Sequence, residues 1–166
     1  VTILAPCVSA LDSVEAVKSF SDGGEKIICI AHRGDWHSFP ENSAEAVNAA
    51  LEYDAVSVDV KLSSDRIPVL MADETVDRMC VDSDSKPISG TVSSFTFAQL
   101  GEMYLREDNG GTNKSKTDCR IPELKRIFEV SGGKTAIVVN VNESDFKTIY
   151  DYVKALGKLD ETVFRI

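Results

Sequence analysis

Strand-like and helix-like segments alternate along this chain, and that alternation is the strongest constraint on its fold. Apolar, β-branched runs predict strands, and amphipathic segments with a repeat of about 3.6 residues predict helices between them. Such alternation is typical of a parallel sheet covered by helices, so the sequence predicts an α/β domain. The predicted strands are residues 26–31, 55–62, 135–141 and 162–166, and the predicted helices are residues 9–20, 42–51, 122–130 and 144–156.

The first two predicted strands differ in the faces that they bury. Residues 27–30 form an uninterrupted apolar run, which is typical of a parallel strand buried on both faces. Residues 55–62 instead alternate between apolar and polar side chains, and successive strand residues point to opposite faces. Valines therefore bury one face of this strand, and the other face carries Ser57, Asp59 and Lys61.

Length and composition predict one domain with a buried core. The chain has 166 residues, of which 43% are hydrophobic. We interpret residues 1–166 as a single domain with an N-terminal helical extension at 1–24. The polar stretch 73–113 is interpreted as an excursion from the main fold, with one helix at 96–104.

The net charge excludes some classes of partner. Twenty-seven acidic and 18 basic residues give a net charge of −9, which repels polyanions and disfavours binding to nucleic acid or to an anionic membrane surface. No window approaches the ~20 apolar residues of a membrane-spanning helix. A local basic pocket for a small phosphoester is compatible with both observations.

The four cysteines are widely spaced and do not predict a zinc site. Cys7, Cys29, Cys80 and Cys119 form no CxxC pair and no cluster with histidine. Buried free thiols are the expectation, with a disulfide between Cys80 and Cys119 as the alternative.

A histidine and an arginine directly follow the first predicted strand, at its carboxyl end. This is the position where α/β folds place their ligands. His32 offers a proton near neutral pH, Arg33 offers a bidentate fork for a phosphate, and Gly34 lets backbone approach a bound group. The motif Pro-Glu-Asn-Ser at 40–43 opens the next helix. Together these residues predict a site for a phosphate ester.

The ordered series of motifs resembles the glycerophosphodiester phosphodiesterase family. The resemblance implies a TIM barrel that hydrolyses glycerophosphodiesters to glycerol 3-phosphate and an alcohol, with a divalent cation. It also implies two histidines as general acid and base, and carboxylates on neighbouring strands as metal ligands. The matching segments are 31–34, 40–43, 58–60, 65–70, 73–78, 121–124 and 136–142, so that the resemblance covers about residues 26 to 166.

Three family residues are present here in matching positions. His32 matches the first catalytic histidine, Arg33 the arginine that contacts phosphate, and Asp59 one of the metal carboxylates. The resemblance thus assigns catalysis to His32 and Arg33, and calcium or magnesium to Asp59. We assign substrate binding to Arg33, Glu41 and Asn42. Asp59 has an alternative role as an ion-pair partner of Lys61 or Arg33.

Four other family positions carry different residues. Ser57 replaces a metal-binding glutamate, Ala72 replaces the second histidine, and Asn140 and Asn142 stand at the third carboxylate and its polar neighbour. A hard cation prefers several oxygens, including carboxylates, so that binding at Asp59 should be weak. A general acid or base contributes about 10²- to 10⁴-fold, so these losses should slow hydrolysis about 10⁴-fold or more.

The number of predicted strands is half of that in a complete barrel. An eight-stranded TIM barrel typically needs ~250 residues, whereas this chain predicts about four principal parallel strands. An incomplete barrel leaves a sheet edge that can pair with another strand. We consider three explanations: a fragment of a longer chain, a homodimer joined through the open edge, and an edge recovered by the N-terminal helix.

Three hypotheses for the function follow. The first, which we favour, is a catalytically degenerate phosphodiesterase homologue of glycerophosphodiester metabolism that retains phosphoester binding. The second is a weakly active, metal-dependent phosphodiesterase, and the third is a protein-interaction or self-assembling half-barrel. Bacterial members of the family are commonly exported, so the resemblance also implies a periplasmic or secreted location.

Overall fold

The computed structural model describes residues 11–21 and 27–166. Predictions at residues 1–10 and 22–26, including Cys7 and the start of the first predicted strand, lie outside the described residues. The helices are α1 (Ser13–Ser21), α2 (Ala44–Ala49), α3 (Phe97–Gly101), α4 (Leu124–Ser131) and α5 (Glu143–Ala155). The strands are β1 (Ile30–His32), β2 (Ala55–Leu62), β3 (Pro68–Leu70), β4 (Cys80–Val81), β5 (Tyr104–Arg106), β6 (Lys116–Arg120), β7 (Ala136–Asn140) and β8 (Thr162–Arg165). Single 3₁₀ turns lie at Val92–Ser94 and Leu159–Glu161.

The principal sheet is parallel, as the alternation predicts. Its order is β1-β2-β7-β8, and β3 pairs antiparallel with the end of β2. These are the four predicted parallel strands, and the α/β prediction is confirmed.

Strand register assigns each side chain to one of two faces. Residues paired across a parallel sheet point the same way, so the chain of partners from Val58 through Val139 to Phe164 marks the outer face. Here β2 and β7 pack against α2, α4 and α5, and Val56, Val58 and Val60 are buried as predicted. The opposite face is the lumen face, and it carries Asp59.

Helix α1 closes the sheet at the amino ends of its strands. Ala16 is fully buried with Ala55 and Ala136, the first residues of β2 and β7, and Leu11 and Val17 pack beside them. The predicted N-terminal helix is therefore present and contributes a third small core. Its position leaves the carboxyl ends of the strands for the site.

The segment between β3 and α4 builds a small antiparallel sheet in the order β4-β5-β6. Its apolar side chains form a core of their own around Met79, Leu100 and Leu105. The helix predicted at residues 96–104 is shorter than expected. Thr96 is its N-cap and forms a capping box with Gln99, so that α3 begins at Phe97, and the helix ends at Gly101. Tyr104 instead begins β5.

The prediction that the first strand is buried on both faces is wrong. Strand β1 contains three residues, of which Ile30 is 43% exposed and His32 is exposed. Within the described residues, β1 pairs with β2 on one side and with no strand on the other. Of the apolar run 27–30 only Ile30 lies in β1, which is an edge strand among the described residues.

The predicted alternative of a disulfide between Cys80 and Cys119 is also wrong, since both are free thiols. Cys80 lies in β4 and Cys119 in β6, with β5 between them. Strands two apart in a sheet are separated by about 9–10 Å, beyond the ~7 Å limit between Cα atoms for a disulfide. Burial raises the pKa of the Cys80 thiol to about 12.

The described helices include none that combines the length and apolar character of a membrane span.

Gly34 allows the β1–α2 loop to pack on α2. Its φ is +77°, and a Cβ atom placed there would lie 2.5 Å from the backbone carbon of Ala46. Gly34→Ala should therefore lower the free energy of unfolding by about 2 kcal/mol or more. Gly101→Ala is the matched control, since its Cβ meets nothing within 4 Å and alanine favours the helix. Urea denaturation measures both variants, and similar stability of the two would contradict this account.

Candidate active site

The polar side chains of the lumen face form successive layers along the strands. One layer contains His32, Ser57 and Val138, and the next contains Asp59, Asn140 and Arg165. A cleft of about 270 Å³ opens at the carboxyl ends of the strands. It is lined by Asp59, Val60, Lys61, Ala72, Asn140, Val141, Asn142, Arg165 and Ile166.

The β1–α2 loop folds back over the sheet at two left-handed residues. Arg33 has φ +61°, and its backbone N–H donates to the Ser57 carbonyl at 2.7 Å. Asn42 has φ +58°, and its N–H donates to the Arg33 carbonyl at 3.1 Å. Left-handed backbone at residues other than glycine is strained and concentrates at functional sites. Here it directs the Arg33 and Asn42 side chains onto Asp59.

Asp59 is surrounded by nitrogen donors. Arg33 Nε lies 2.6 Å from Asp59 Oδ2 as an ion pair, without the alignment of a hydrogen bond. Asn42 Nδ2 donates to Oδ2 at 3.2 Å, and Asn140 Nδ2 donates to Oδ1 at 2.9 Å. Of the two predicted ion-pair partners, Arg33 is the observed one. Lys61 instead pairs with Glu74 at 2.5 Å.

Glu41 is buried between two guanidinium groups, and its side chain is 3% exposed. Oε2 accepts from Arg33 Nη1 at 2.9 Å, and Oε1 accepts from Arg78 Nη2 at 2.6 Å. Arg78 also donates to both oxygens of Asp73, at 2.6 and 3.0 Å. Asp73, and then Glu41, raise the pKa of Arg78 against the effect of burial. We call Arg33, Glu41, Asp73 and Arg78 the Glu41 network.

His32 lies at the exposed edge of the lumen face. Its Nδ1 is 3.0 Å from Ser57 Oγ. If Ser57 donates, the neutral imidazole carries its proton on Nε2. If Nδ1 donates, Nε2 can act as a base, and as an acid once both ring nitrogens are protonated. His37 stacks on Trp36 with ring centroids 3.9 Å apart, so its observed partner is in its own loop.

The structure thus brings His32, Arg33 and Asp59 to one end of the sheet, as the sequence predicts. Glu41 and Asn42 lie behind them, holding Arg33 and Asp59 respectively. Their assignment as substrate-binding residues stays a prediction.

Two cationic residues near the site were not among the sequence predictions. Arg78 completes the Glu41 network, and Arg165 lines the cleft. A strand register would have placed Arg165 beside Asn140, because the two are paired residues on β8 and β7. No sequence pattern predicts the contact of Arg78 with Glu41, because the two residues are 37 apart in the chain and Arg78 lies in the loop between β3 and β4.

The donor set does not fit a divalent cation in this arrangement. Within the described residues, no group of three or more histidine, cysteine, aspartate or glutamate side chains is placed to hold a metal ion. The Asp59 carboxylate faces N–H groups, and both Glu41 oxygens accept from guanidinium nitrogens. Calcium and magnesium prefer several oxygen ligands that include carboxylates, and these contacts engage the carboxylate oxygens of both Asp59 and Glu41.

Four parallel strands with a polar cleft at their carboxyl ends define part of a TIM-barrel-type domain, with its site where such barrels place their chemistry. The sequence model of the Glycerophosphoryl diester phosphodiesterase family matches residues 32–162. The chain therefore belongs to the glycerophosphodiester phosphodiesterase family, and the resemblance carried by its motifs is confirmed.

Curated relatives are longer than this chain. Glycerophosphodiester phosphodiesterase 1 of Homo sapiens is 40% identical over 157 residues, covering 86% of this chain and 46% of the human protein. Glycerophosphodiester phosphodiesterase of Caldanaerobacter subterraneus is 34% identical over 115 residues, covering 68% and 44% respectively. The chain thus spans less than half the length of these relatives.

Solved structures show the same fold. A glycerophosphoryl diester phosphodiesterase from Parabacteroides distasonis matches with a TM-score of 0.74 at 20% identity, covering 95% of this chain and 53% of that one. A glycerophosphodiester phosphodiesterase from Agrobacterium tumefaciens matches with a TM-score of 0.66 at 21% identity, covering 82% and 56%. The chain therefore has a TIM-barrel-type fold and carries about half of it, as the strand count predicts.

Neutralising Glu41 should destabilise the whole domain. Glu41→Gln preserves shape but removes the charge that two guanidinium groups share, and breaking a buried ion pair costs about 3 kcal/mol or more. Chemical denaturation measures the loss, with exposed Glu52→Gln as the control. Equal stability of both variants would show that the Glu41 network contributes little.

The pKa of Glu74 should depend on Lys61. It lies below the ordinary 4.5 because Lys61 donates a hydrogen bond and Asn142 donates a second. A lowered carboxyl pKa contributes stability above pH 4.5 that is lost as the pH falls through the lowered value. Lys61→Met should raise the Glu74 pKa, and Asn142→Ala should raise it less. Carbon NMR of the side-chain carboxyl measures both shifts; no change in Lys61→Met would refute the assignment.

Proposed function

We propose that this chain is a catalytically degenerate glycerophosphodiester phosphodiesterase domain that retains binding of a phosphate ester at Arg33 and His32. The observation that carries the proposal is that Asp59 has no second carboxylate beside it on the described lumen face and is already paired with an arginine. It is the one carboxylate on the lumen face of the four described parallel strands, and the Arg33 guanidinium lies against it at 2.6 Å. Hydrolysis by the family's chemistry needs more carboxylate charge and a second proton-transfer group.

The surroundings of His32 support the loss of chemistry. Ser57 occupies the neighbouring lumen position on β2 and contacts His32 Nδ1, where the family resemblance implies a glutamate. Ala72 lines the cleft at the position of the second histidine and cannot transfer a proton. At the described carboxyl ends of the parallel strands, His32 is then the histidine left for two proton transfers, to the nucleophile and to the leaving alcohol, since His37 stacks on Trp36.

The charge of the cleft supports binding of an anion. Arg165, which forms no ion pair within the described residues, lines it together with Lys61 and Asp59, which are paired with Glu74 and Arg33 respectively. The Arg33 side chain beside it is 27% exposed. Guanidinium groups bind phosphate oxygens through paired, charge-assisted hydrogen bonds. A phosphate monoester or diester is the class of ligand that this arrangement suits, although the chain as a whole carries a charge of −9.

A weakly active phosphodiesterase is the second candidate function. The His32–Ser57 contact favours it, because it fixes the imidazole while His32 stays exposed to a substrate. The weak calcium or magnesium requirement expected at Asp59 belongs to this candidate.

Phosphorus NMR distinguishes the candidates. The chain is incubated with glycerophosphocholine, with and without calcium or magnesium, and separately titrated with sn-glycerol 3-phosphate. We expect no release of glycerol 3-phosphate, together with a shift or broadening of its resonance on binding. Arg33→Met should abolish the binding effect, whereas exposed Arg126→Met, on α4, should retain it. Thermal melts report whether each variant is folded.

Two results would overturn this proposal. Metal-dependent release of glycerol 3-phosphate that disappears in His32→Ala would establish the weakly active enzyme. Absence of both release and binding in the unmodified chain would favour the interaction module. Self-association through β8, whose second edge pairs with no described strand, stays a prediction that sedimentation velocity can test.

A further inference from the structure

We infer that the Arg33 guanidinium takes the place of a divalent cation at the carboxyl end of β2, so that this site binds its ligand without metal. The binding part of this inference rests on the proposed function. The exclusion of metal does not, because it follows from the contacts of Asp59 and Glu41.

The contacts of Asp59 are those that a cation would have to displace. An ionised carboxylate only accepts hydrogen bonds, and here its oxygens face Arg33 Nε, Asn42 Nδ2 and Asn140 Nδ2 at 2.6, 3.2 and 2.9 Å. Each neighbour presents a positively polarised N–H. A metal ion would need the same lone pairs and would meet the full positive charge of Arg33.

The two asparagines cannot readily turn their oxygens toward a metal. Asn42 Oδ1 accepts from the Asp59 backbone N–H at 3.0 Å while its Nδ2 donates to the Asp59 carboxylate. This pair of bonds fixes the orientation of the amide, since neither partner tolerates the reverse. Asn140 is oriented by a single bond, its donation to Asp59 Oδ1, because the reverse orientation would face its oxygen toward the carboxylate. Its own Oδ1 is buried without a hydrogen-bond partner in the described residues.

Arg33 itself is held in place from two sides. Nε contacts Asp59, and Nη1 donates to Glu41, whose other oxygen accepts from Arg78. The left-handed backbone at Arg33 sets the direction of the side chain. Within the described residues Nη2 makes no hydrogen bond, so it is the donor that remains for a phosphate oxygen.

Manganese is a suitable probe, because electron paramagnetic resonance counts the free ion directly. The unmodified chain and Asp59→Asn should leave equal amounts of free Mn²⁺. Arg33→Met frees the carboxylates of Asp59 and Glu41, so its affinity for Mn²⁺ should rise about tenfold or more, corresponding to ~1.4 kcal/mol. The double variant Arg33→Met/Asp59→Asn should lose that gain, and Arg126→Met should show none.

Uptake of Mn²⁺ by the unmodified chain that Asp59→Asn removes would overturn the inference. So would a folded Arg33→Met that gains no affinity. If circular dichroism shows that Arg33→Met is unfolded, the inference is tested by comparing Mn²⁺ binding of the unmodified chain and of Asp59→Asn.

The binding of sn-glycerol 3-phosphate in EDTA and in magnesium completes the test. Equal affinities support metal-independent binding, and binding that requires magnesium overturns it. Absence of binding under both conditions would refute the proposed function, while the Mn²⁺ measurement would still decide whether Arg33 excludes metal.

Discussion

A buried carboxylate must be neutralised, and the loops around Glu41 are arranged to do so. Two guanidinium groups from distant parts of the chain converge on its oxygens. Arg33 comes from the loop after β1, and Arg78 comes from the segment that leads into β4. The loop 107–111 adds backbone contacts, since Asp108 accepts from the Glu41 N–H and Asn109 accepts from Arg78. The contacts of Glu41 thereby hold the β1–α2 loop against the small sheet β4-β5-β6.

The arrangement of polar side chains on the lumen face depends on the same interaction, because Arg33 contacts both Glu41 and Asp59. Parallel strands bring the carboxyl ends of β2, β7 and β8 to one edge, where polar side chains meet in register. Asp59 then accepts hydrogen bonds from Asn42 and Asn140 and forms an ion pair with Arg33. The charge of Asp59 is thus balanced by an arginine side chain of the protein, with two amide groups beside it.

Most of the fold follows from local sequence pattern. Strand β2 is predictable because its alternation separates valines from Ser57, Asp59 and Lys61, and α5 because its apolar repeat is regular. Strand β1 is not predictable in this way, since an apolar run does not reveal whether other elements cover both of its faces. The site is predictable where a motif follows a strand, as His32 and Arg33 do. The pairing of Arg33 with Asp59 and Glu41 depends on backbone turns at Arg33 and Asn42 that no pattern specifies.

The Glu41 network also bears on how such a site can change over generations. Replacing Glu41 alone leaves two partly exposed guanidinium groups facing each other, and replacing one arginine leaves the buried carboxylate half neutralised. Single substitutions at these positions are thus costly, whereas paired substitutions that conserve total charge are tolerable. Glu41, Arg33 and Arg78 are therefore expected to be inherited as a unit, even in a lineage in which selection for hydrolysis has ceased.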